Sequence, residues 1–472
     1  MRKTKIVCTI GPATDTEEMI LRLIQSGMNV ARFNFSHGTH EDHKEHFETL
    51  VKLREALNIP VAALLDTKGP EIRLGNIPHG PVSLVRGERF TLTINEVEGD
   101  VHHASVSYKA LVKDVHKGSR VLIDDGNIEL ECEKVTETDI HCKVIVGGPV
   151  SSRKGVNIPG TVLSMPFISE RDKDDLIFGA QLGFDFVAAS FVRNAEDIHE
   201  LRALLTSVGS NARIISKIES AQAIENIDSI IDASDGIMIA RGDLGVEVPF
   251  EEVPVLQKDI IKKANVRGKY VITATQMLES MIHNPRPTRA EAADVANAVY
   301  DGTSAVMLSG ETAAGEWPIE AVRTMAAICE RTERDIDYVA RLRRVQDMEG
   351  ESVTTAISHA TAGIAAQLDA DAIITVTTSG YTASMVSRFK PSAPIIGCSS
   401  DPMVCRQLNL MWGITPLSIE EEQSAEALFV RAVAQAREEK LVRNGDIVVL
   451  TAGIPVGITG TTNMIHVMKI GD

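Results

Sequence analysis

Short apolar segments alternate with amphipathic helical segments from residue 5 to residue 311 of this chain. Eight of the apolar segments have the length and the β-branched content of buried strands, and the sequences between them have helical periodicity. The predicted strands are 5–11, 28–35, 61–69, 185–192, 213–220, 236–243, 270–277 and 305–311. Eight strands that each lead into a helix close a parallel α/β barrel, the TIM (β/α)8 fold.

The third βα unit is interrupted by a long segment of different character. Stretches such as "PVSLVRGERFTLTI" and "RVLIDDGNIELECEKV" alternate apolar and polar residues between Gly and Pro turns, which predicts an inserted all-β domain. Because it follows a barrel strand at the carboxyl end, where the active sites of barrels lie, we expect it to act as a lid.

A second α/β pattern follows a charged helical connection at 329–352. Its strand-like segments are 372–380, 394–400, 446–457 and 463–470, and they predict a C-terminal open α/β domain. The predicted domains are 1–69 (barrel, first part), 70–168 (inserted β-barrel lid), 169–345 (barrel, second part) and 351–472 (C-terminal domain).

Composition excludes several classes of partner. The formal net charge of −17 argues against binding to nucleic acid or to an anionic membrane. The six cysteines have no CxxC spacing, which disfavours a zinc site and a disulfide framework. No apolar run approaches the roughly 18–20 residues that span a bilayer, and the amino terminus is too short for a signal peptide. We therefore expect a cytoplasmic protein without a membrane partner.

Polar side chains collect at the carboxyl ends of five predicted strands, whereas the opposite ends look apolar. In "ISKIES", Lys217 and Glu219 are two positions apart, so a strand would place both on one face. Other strand ends carry similar groups: Arg32, Asn34, Ser36, Asp66, Thr67, Arg73, Arg241, Asp243 and Thr275. A salt bridge within each pair would explain one such pair, but burying charges at the ends of five strands without a ligand is energetically costly. The pattern therefore predicts an active site.

The types of these residues indicate phosphoryl chemistry. Glu219 and Asp243 offer carboxylate oxygens, which suit Mg²⁺ or Mn²⁺ better than zinc. Arg32, Arg73 and Lys217 would place three cations around that metal, and a phosphoryl group in transfer needs its oxygens stabilised in this way. The glycines of "ARGDLG" expose backbone N–H groups that could bind a carboxylate. An anionic, phosphorylated small acid fits this arrangement.

Four further oxygen donors come from adjacent strand ends: Asn34, Ser36, Asp66 and Thr67. They could form the shell of a weakly charged cation such as K⁺, or they could make ordinary hydrogen bonds within loops. The residues alone leave both interpretations open.

Nine segments together resemble the pyruvate kinase family over essentially the whole chain. They are "TKIVCTIGP", "MNVARFNFSHG", "LLDTKGPEIR", "KGVNIPG", "IISKIES", "DGIMIARGDLGVEVP", "ITATQMLESM", "NPRPTRAEAADVANAV" and "VMLSGETAAGEWPIEAV", in the order and spacing of that family. The resemblance implies transfer of the phosphoryl group of phosphoenolpyruvate to ADP, giving pyruvate and ATP. It also implies Mg²⁺ (or Mn²⁺) and K⁺ as cofactors and a homotetramer. Since no residue follows Asp472, we expect the additional C-terminal module of some bacterial relatives to be absent.

The resemblance also implies a role for each catalytic and substrate-binding residue. Lys217 would be the electrophile that contacts the phosphoryl and enolate oxygens, and Arg32 would bind the phosphoryl group. Thr275 and the backbone N–H groups of Gly242 and Asp243 would hold the substrate carboxylate. The divalent metal would be held by Glu219 and Asp243.

Nucleotide and monovalent-cation sites are implied in the same way. The nucleotide would contact Asn34, Phe35, Ser36, His37 and Lys154 as the lid closes. Arg73 would contact either the transferred phosphoryl group, as a catalytic residue, or the nucleotide. The K⁺ ligands would be Asn34, Ser36, Asp66 and Thr67. Glu71 matches the potassium-requiring branch of the family, whereas Leu74 departs from the Thr expected in that branch.

The segment "TVTTSGYTAS" (375–384) resembles the effector loop of the family. Its donors for a phosphate would be Thr377, Ser379, Gly380 and Thr382, just before a helix N-terminus. Tyr381 replaces the basic residue of several relatives, which favours a sugar monophosphate or a nucleoside monophosphate over a sugar bisphosphate. The alternative is a capped helix start without a ligand.

Two other classes of function share parts of this pattern. The barrel and the metal would also suit a Mg²⁺-dependent lyase that acts on a 2-oxo acid, and the barrel would suit an aldolase that uses Lys217 to form a Schiff base. A non-enzymatic sensor would bind a sugar phosphate through the C-terminal domain only.

Overall fold

The computed structural model describes residues 2–78, 80–344, 352–422, 424–455 and 460–471. Its strands are β1 (Lys5–Thr9), β2 (Val30–Asn34), β3 (Ala62–Asp66), β4 (Val82–Leu84), β5 (Arg89–Thr93), β6 (His103–Ser105), β7 (Arg120–Ile123), β8 (Ile128–Val135), β9 (Asp139–Val146), β10 (Gly148–Val150), β11 (Val156–Asn157), β12 (Phe186–Ala189), β13 (Arg213–Ile218), β14 (Gly236–Ala240), β15 (Tyr270–Ala274), β16 (Ala305–Leu308), β17 (Ala372–Val376), β18 (Ile395–Ser399), β19 (Ile414–Ser418), β20 (Ile447–Gly453) and β21 (Thr462–Lys469).

The helices are α1 (Glu17–Ser26), α2 (His40–Leu57), α3 (Leu111–Asp114), α4 (Glu170–Leu182), α5 (Ala195–Ser207), α6 (Ala221–Glu225), α7 (Ile227–Ala233), α8 (Arg241–Glu247), α9 (Val253–Val266), α10 (Arg289–Asp301), α11 (Gly310–Ala313), α12 (Pro318–Glu333), α13 (Tyr338–Arg344), α14 (Val353–Gln367), α15 (Tyr381–Ser387), α16 (Pro402–Leu408) and α17 (Ala425–Glu438). A 3-10 turn lies at Glu279–Ile282.

Eight parallel strands form a closed barrel in the order β1-β16-β15-β14-β13-β12-β3-β2. Nearly every residue of these strands is buried, as expected where helices cover the outer face and side chains fill the interior. Thr39, Ser169 and Thr288 start α2, α4 and α10 with capping boxes, in which each side chain bonds the backbone N–H three residues on. The predicted barrel is confirmed.

The segment between β3 and α4 contains eight strands and one short helix, α3, so it is almost entirely β, as predicted. A six-stranded sheet has the order β11-β7-β8-β9-β5-β6, and β10 pairs with β4. Alternate residues of β8 and β9, such as Leu130 and Cys142, point into a separate apolar core. The insertion is thus a folding unit with its own core.

The C-terminal sheet has the order β19-β18-β17-β20-β21, and only β21 runs antiparallel to its neighbour. Sequence analysis missed β19, "ITPLS", because a proline and two hydroxyl residues hide a short edge strand. One apolar cluster joins the barrel interior to this domain, from Val7 to Ile373. The two parts therefore pack directly, with the amino ends of the barrel strands toward the C-terminal domain.

Several predicted strands extend too far at the carboxyl end. β13 ends at Ile218, so Glu219 follows the strand; β14 ends at Ala240, so Arg241 and Asp243 lie on α8. Beyond these strand ends, Glu219 accepts the N–H of Phe191, and Arg241 donates to the carbonyls of Ala274 and Thr275. The prediction that the amino ends are apolar is also wrong, because Arg213 opens β13 and bonds to residues of the C-terminal domain.

Parts of the sequence predictions fall outside the described residues. The connection at 329–352 is helical in α12 and α13, and its positions 345–351 lie outside. The same holds for positions 456–457 of the strand predicted at 446–457, and for 345, 351 and 472 as predicted domain limits. The domain boundaries remain predictions.

Candidate active site

A cleft of about 360 Å³ opens between the carboxyl ends of the barrel strands and the inserted domain. The barrel contributes Phe191 and Asp243, and the segment that was predicted to be the lid contributes Arg73, Asp124 and Lys154. Three predicted site residues from distant parts of the chain therefore face one cavity. This is the position at which barrels carry out chemistry.

Lys217 lies near the end of β13, and its ammonium is surrounded by oxygen acceptors. Its Nζ lies 2.9 Å from Oε1 of Glu219, 3.2 Å from Oδ1 of Asp66 and 2.7 Å from Oγ of Ser190. Burial opposes the charge of this amine, but Asp66 and Glu219 outweigh it, and the pKa of Lys217 is raised above its usual value. The site therefore holds a charged ammonium that is largely shielded from water.

Asp66 links this ammonium to a second cation. Its Oδ2 accepts a bond from Nε of Arg32 at 2.6 Å, and the Arg32 guanidinium also donates to Oγ1 of Thr9 at 2.9 Å. Burial works against the charge of Asp66, but Arg32 and Lys217 together hold its pKa below the usual range. Arg32, Asp66 and Lys217 thus form one buried network, as the strand-end pattern predicted.

Glu219 and Asp243, the two predicted metal ligands, have too few neighbouring cations to neutralise the charges of both carboxylates. Burial raises the pKa of Glu219 to about 7 even beside Lys217, and the charge of Asp243 adds to the rise. Burial also raises the pKa of Asp243. A divalent cation between them would relieve both effects. Within the described part of the chain no set of three or more His, Cys, Asp and Glu side chains comes together as a metal site. Two carboxylates leave coordination positions for substrate oxygens and water, which suits Mg²⁺.

Thr275 has a left-handed backbone, with φ +68°, and the next residue, Gln276, has φ +54°. This conformation is unfavourable for residues with a Cβ atom. Arg241 stabilises it, because its guanidinium donates to the carbonyls of Ala274 at 3.2 Å and Thr275 at 2.7 Å. Oγ1 of Thr275 accepts the backbone N–H of Gly242 at 2.8 Å, and its hydroxyl donates to the carbonyl of Ala274 at 2.6 Å. Both groups that were expected to hold the substrate carboxylate are therefore bonded to protein groups.

The loop after β2 contains the predicted nucleotide contacts. Oδ1 of Asn34 accepts the N–H of Ser36 at 3.1 Å, an ordinary loop bond. The ring of Phe35 is buried and stacks on His43 with centroids 4.0 Å apart, so Phe35 can meet a nucleotide only through its backbone. The side chain of His37 is exposed.

The lid side of the cleft is held by two ion pairs. Nε of Arg73 lies 2.8 Å from Oε2 of Glu71, and Nζ of Lys154 lies 2.7 Å from Oδ1 of Asp124. The N–H of Leu74 donates to the carbonyl of Lys154 at 2.9 Å, which fixes the two lid segments side by side. Arg73 and Lys154, the two cations predicted to contact the nucleotide, therefore both line the cleft from adjacent segments of the inserted domain.

The comparisons with known proteins agree with this geometry. Residues 1–322 match the family model "Pyruvate kinase, barrel domain", and residues 355–468 match "Pyruvate kinase, alpha/beta domain". The chain belongs to the pyruvate kinase family. Proteins named pyruvate kinase from Sporosarcina psychrophila and Staphylococcus aureus (strain MRSA252) are each 48% identical to it, with 100% of this chain and 81% of each relative covered.

A solved structure shows the same fold. The crystal structure of a pyruvate kinase from Cryptosporidium parvum superimposes on this one with a TM-score of 0.94 and 40% sequence identity. The match covers 99% of this chain and 96% of the Cryptosporidium chain. The expected fold class and activity are confirmed, and the protein is a phosphotransferase of the pyruvate kinase type. The described helices include none that is long and apolar enough to cross a membrane.

Sequence analysis missed two residues of the site. The Ser190 hydroxyl bonds to Lys217 and lies 2.6 Å from the carbonyl of Thr67 and 3.2 Å from Oδ1 of Asp66. Phe191 donates its N–H to Oε2 of Glu219 at 2.6 Å, from a left-handed backbone with φ +55°. Ser190 follows the end of β12, so the strand-end test applied to "DFVAASFV" would have found it. No sequence signal marks the conformation of Phe191.

The predicted effector loop precedes α15 and is internally bonded. Oγ1 of Thr377 accepts the N–H of Gly380 at 2.9 Å, and the hydroxyls of Thr382 and Thr462 lie 2.8 Å apart. The hydroxyls of Thr377 and Thr382 therefore have protein partners, although no side chain caps the N-terminus of α15, whose N-cap residue is Gly380. A hydroxyl that accepts one bond can still donate another, so the phosphate-binding role stays a prediction.

Proposed function

We propose that Lys217 is the residue that stabilises the phosphoryl group and the enolate oxygen during transfer from phosphoenolpyruvate to ADP. The observation that carries this proposal is the environment of its Nζ, which has three oxygen neighbours within 3.2 Å and a raised pKa. An ammonium that is charged before the substrate arrives stabilises developing negative charge without reorganisation.

The same environment disfavours the aldolase alternative. A Schiff base forms from a neutral amine, whereas Asp66 and Glu219 keep the Lys217 amine protonated. The ammonium instead matches the role of an electrostatic stabiliser.

We propose Glu219 and Asp243 as the ligands of Mg²⁺ or Mn²⁺. Their raised pKa values support this assignment: burial raises both, the charge of Asp243 adds to the rise at Glu219, and a bound cation would favour the ionised form of both groups. When bound, the divalent metal supplies positive charge to the substrate oxygens. Arg32 binds and orients the phosphoryl group, and Thr275 with Gly242 orients the carboxylate end of the substrate.

We propose K⁺ as the second cofactor, held by Asn34, Ser36, Asp66 and Thr67. The pairing of β2 with β3 supports it, because Asn34 lies opposite Asp66, whose carboxylate is buried and has a lowered pKa. The nucleotide would lie in the cleft near Arg73 and Lys154, with the loop of residues 34–37 at its side. Closure of the inserted domain would then exclude water from the transfer.

The assembly, location and regulation belong to the same proposal. We propose a cytoplasmic homotetramer, as the family resemblance implies, with a phosphorylated effector on the loop that contains Thr377, Ser379, Gly380 and Thr382. The effector would be a sugar monophosphate or a nucleoside monophosphate.

A coupled assay of pyruvate formation tests the proposal. Lys217→Met should keep phosphoenolpyruvate binding and lose about 10²–10³ in kcat, because the donor acts mainly in the transition state. Lys262→Met, which removes an exposed lysine of α9, is the matched control and should keep the wild-type rate. A Lys217→Met enzyme with unchanged kcat would refute the role assigned to Lys217. Equal rates in Na⁺ and K⁺ would refute only the proposed monovalent-cation site.

A further inference from the structure

Among the polar residues predicted at the strand ends, Arg241 is the one to which the proposed function gives no role. It is the first residue of α8 and directly precedes Gly242 and Asp243, and its side chain is only 12% exposed. A guanidinium that is buried to this extent needs acceptors for its N–H groups. The acceptors of Arg241 therefore show which part of the site it holds.

The Arg241 side chain forms an ion pair with α10 and hydrogen bonds with the end of β15. Its Nη1 lies 2.7 Å from Oδ1 of Asp294. Its Nε donates to the carbonyl of Ala274 at 3.2 Å, and its Nη2 donates to the carbonyl of Thr275 at 2.7 Å. The ion pair fixes the direction of the planar guanidinium, so that its other two nitrogens meet two consecutive carbonyls.

The loop after β15 needs this support because two consecutive residues, Thr275 and Gln276, have left-handed backbones, which are unfavourable for residues with a Cβ atom. The two carbonyls that Arg241 binds belong to the peptide groups on either side of the Thr275 Cα atom. Farther along the loop, the N–H of Leu278 donates to Oε1 of the fully buried Glu311 at 3.0 Å. Side chains from α8 and α11 thus hold the loop at both ends.

Thr275 and Gly242 lie at two sides of the proposed carboxylate site. Gly242 donates its N–H to Oγ1 of Thr275 at 2.8 Å, and the Thr275 hydroxyl donates to the carbonyl of Ala274 at 2.6 Å. A carboxylate can accept from both groups if the Thr275 side chain rotates while its backbone stays in place. Arg241 keeps that backbone beside Gly242, because it precedes Gly242 in the chain and its side chain binds the Thr275 carbonyl.

We propose that Arg241 is a positioning residue, which holds Thr275 in its left-handed conformation opposite Gly242 so that both can bind the carboxylate of phosphoenolpyruvate. The inference rests on the carboxylate site proposed above and adds the residue on which the geometry of that site depends. Lysine cannot replace this arginine, because a single ammonium cannot bind Asp294 and two carbonyls in the same planar arrangement. Without the arginine the carboxylate end of the substrate is less well oriented, and the affinity falls.

Calorimetric titration of the full chain with phosphoenolpyruvate, in Mg²⁺ and K⁺ and without ADP, tests this role. Arg241→Lys should weaken binding by about tenfold, the effect of losing one or two hydrogen bonds. In the coupled assay its KM for phosphoenolpyruvate should rise and its KM for ADP should stay unchanged. Arg267→Met is the matched control, because it removes an arginine that is paired with Asp228 and Asp232 outside the cleft, and it should bind like the wild type.

A second substitution distinguishes positioning from a general loss of stability. Glycine adopts a positive φ without steric cost, and the Gln276 side chain is exposed. Gln276→Gly added to Arg241→Lys should therefore restore the affinity by about fivefold, the equivalent of about 1 kcal/mol of backbone strain. Asp294→Asn, an isosteric change that does not line the cleft, should weaken binding less than Arg241→Lys does, and the same glycine should reverse its effect.

The inference is overturned if Arg241→Lys and Asp294→Asn bind phosphoenolpyruvate like the wild type, or if Gln276→Gly leaves their reduced affinity unchanged. An equal rise of both KM values in Arg241→Lys would also overturn it, because the effect would then extend to the nucleotide. Thr275→Val separates this inference from the proposed function. Normal binding in Thr275→Val would refute the carboxylate site itself, whereas weaker binding in Thr275→Val with normal binding in Arg241→Lys would refute only the role of Arg241.

Discussion

Replacing Ser190 by alanine tests whether the active-site lysine is held in place by a residue that sequence analysis missed. The Ser190 hydroxyl accepts a bond from Lys217 at 2.7 Å and is close enough to donate to the carbonyl of Thr67, at 2.6 Å. The variant removes both bonds and adds no bulk. Lys217 keeps its two carboxylate neighbours, so its charge should persist while its position becomes less defined.

The size of the effect follows from the bonds lost. A hydrogen bond to a charged group contributes about 1.5–3 kcal/mol, which corresponds to roughly 10–150-fold in kcat if all of it serves to position Lys217. The free energy of unfolding should also fall by about 1–3 kcal/mol, because the Thr67 carbonyl loses a buried partner.

Ser216→Ala is the matched control. Ser216 lies on the same strand as Lys217, is fully buried, and its hydroxyl is 2.6 Å from that of Ser234. This variant should lose comparable stability in urea unfolding and keep its kcat in the coupled pyruvate assay. If Ser190→Ala and Ser216→Ala lose the same stability and keep the same kcat, the positioning argument fails.

Two further predictions concern the metal site and the domain interface. A carboxyl group must lose its proton to bind a metal, and the pKa of Glu219 is raised to about 7. The Mg²⁺ affinity measured by calorimetry should therefore rise with pH up to about 7 and then level off. A constant affinity between pH 5 and 8 would contradict this. Arg406→Leu should lower the free energy of unfolding by about 1.5–3 kcal/mol, because the fully buried Asp185 loses its 2.7 Å partner and keeps Arg54 at 3.6 Å. The exposed Arg437→Leu is its control, and equal losses in the two variants would contradict the interface argument.

The barrel and the identity of most site residues could be predicted from the sequence. Strands buried on both faces are continuous apolar runs, and polar residues that follow several such runs must meet at one rim. Lys217 and Glu219 illustrate both the strength and the limit of this reasoning. Their side chains do contact each other at 2.9 Å, as predicted. Glu219 lies beyond the end of the strand, however, so the alternation of side chains along a strand does not by itself explain the contact.

Other parts of the site depend on tertiary structure alone. The left-handed backbone at Phe191 and Thr275 has no signature in residue type, because neighbouring groups impose it. The burial of two cations at the other end of the barrel was missed for a related reason. Arg388 and Lys390 look like surface residues of a helix end, and only the packing of the C-terminal domain buries them.

The closure of the barrel also constrains how the chain is made. β1 is held between β2 and β16, with Lys5 opposite Ala305, and the N–H of Gly413 donates to the carbonyl of Lys3. The first strand to leave the ribosome thus obtains one of its two neighbours only after almost two-thirds of the chain has been synthesised. Until then its apolar edge is open to pairing with other chains, so a nascent chain needs protection at this edge. The inserted domain, whose core is its own, can form in the meantime.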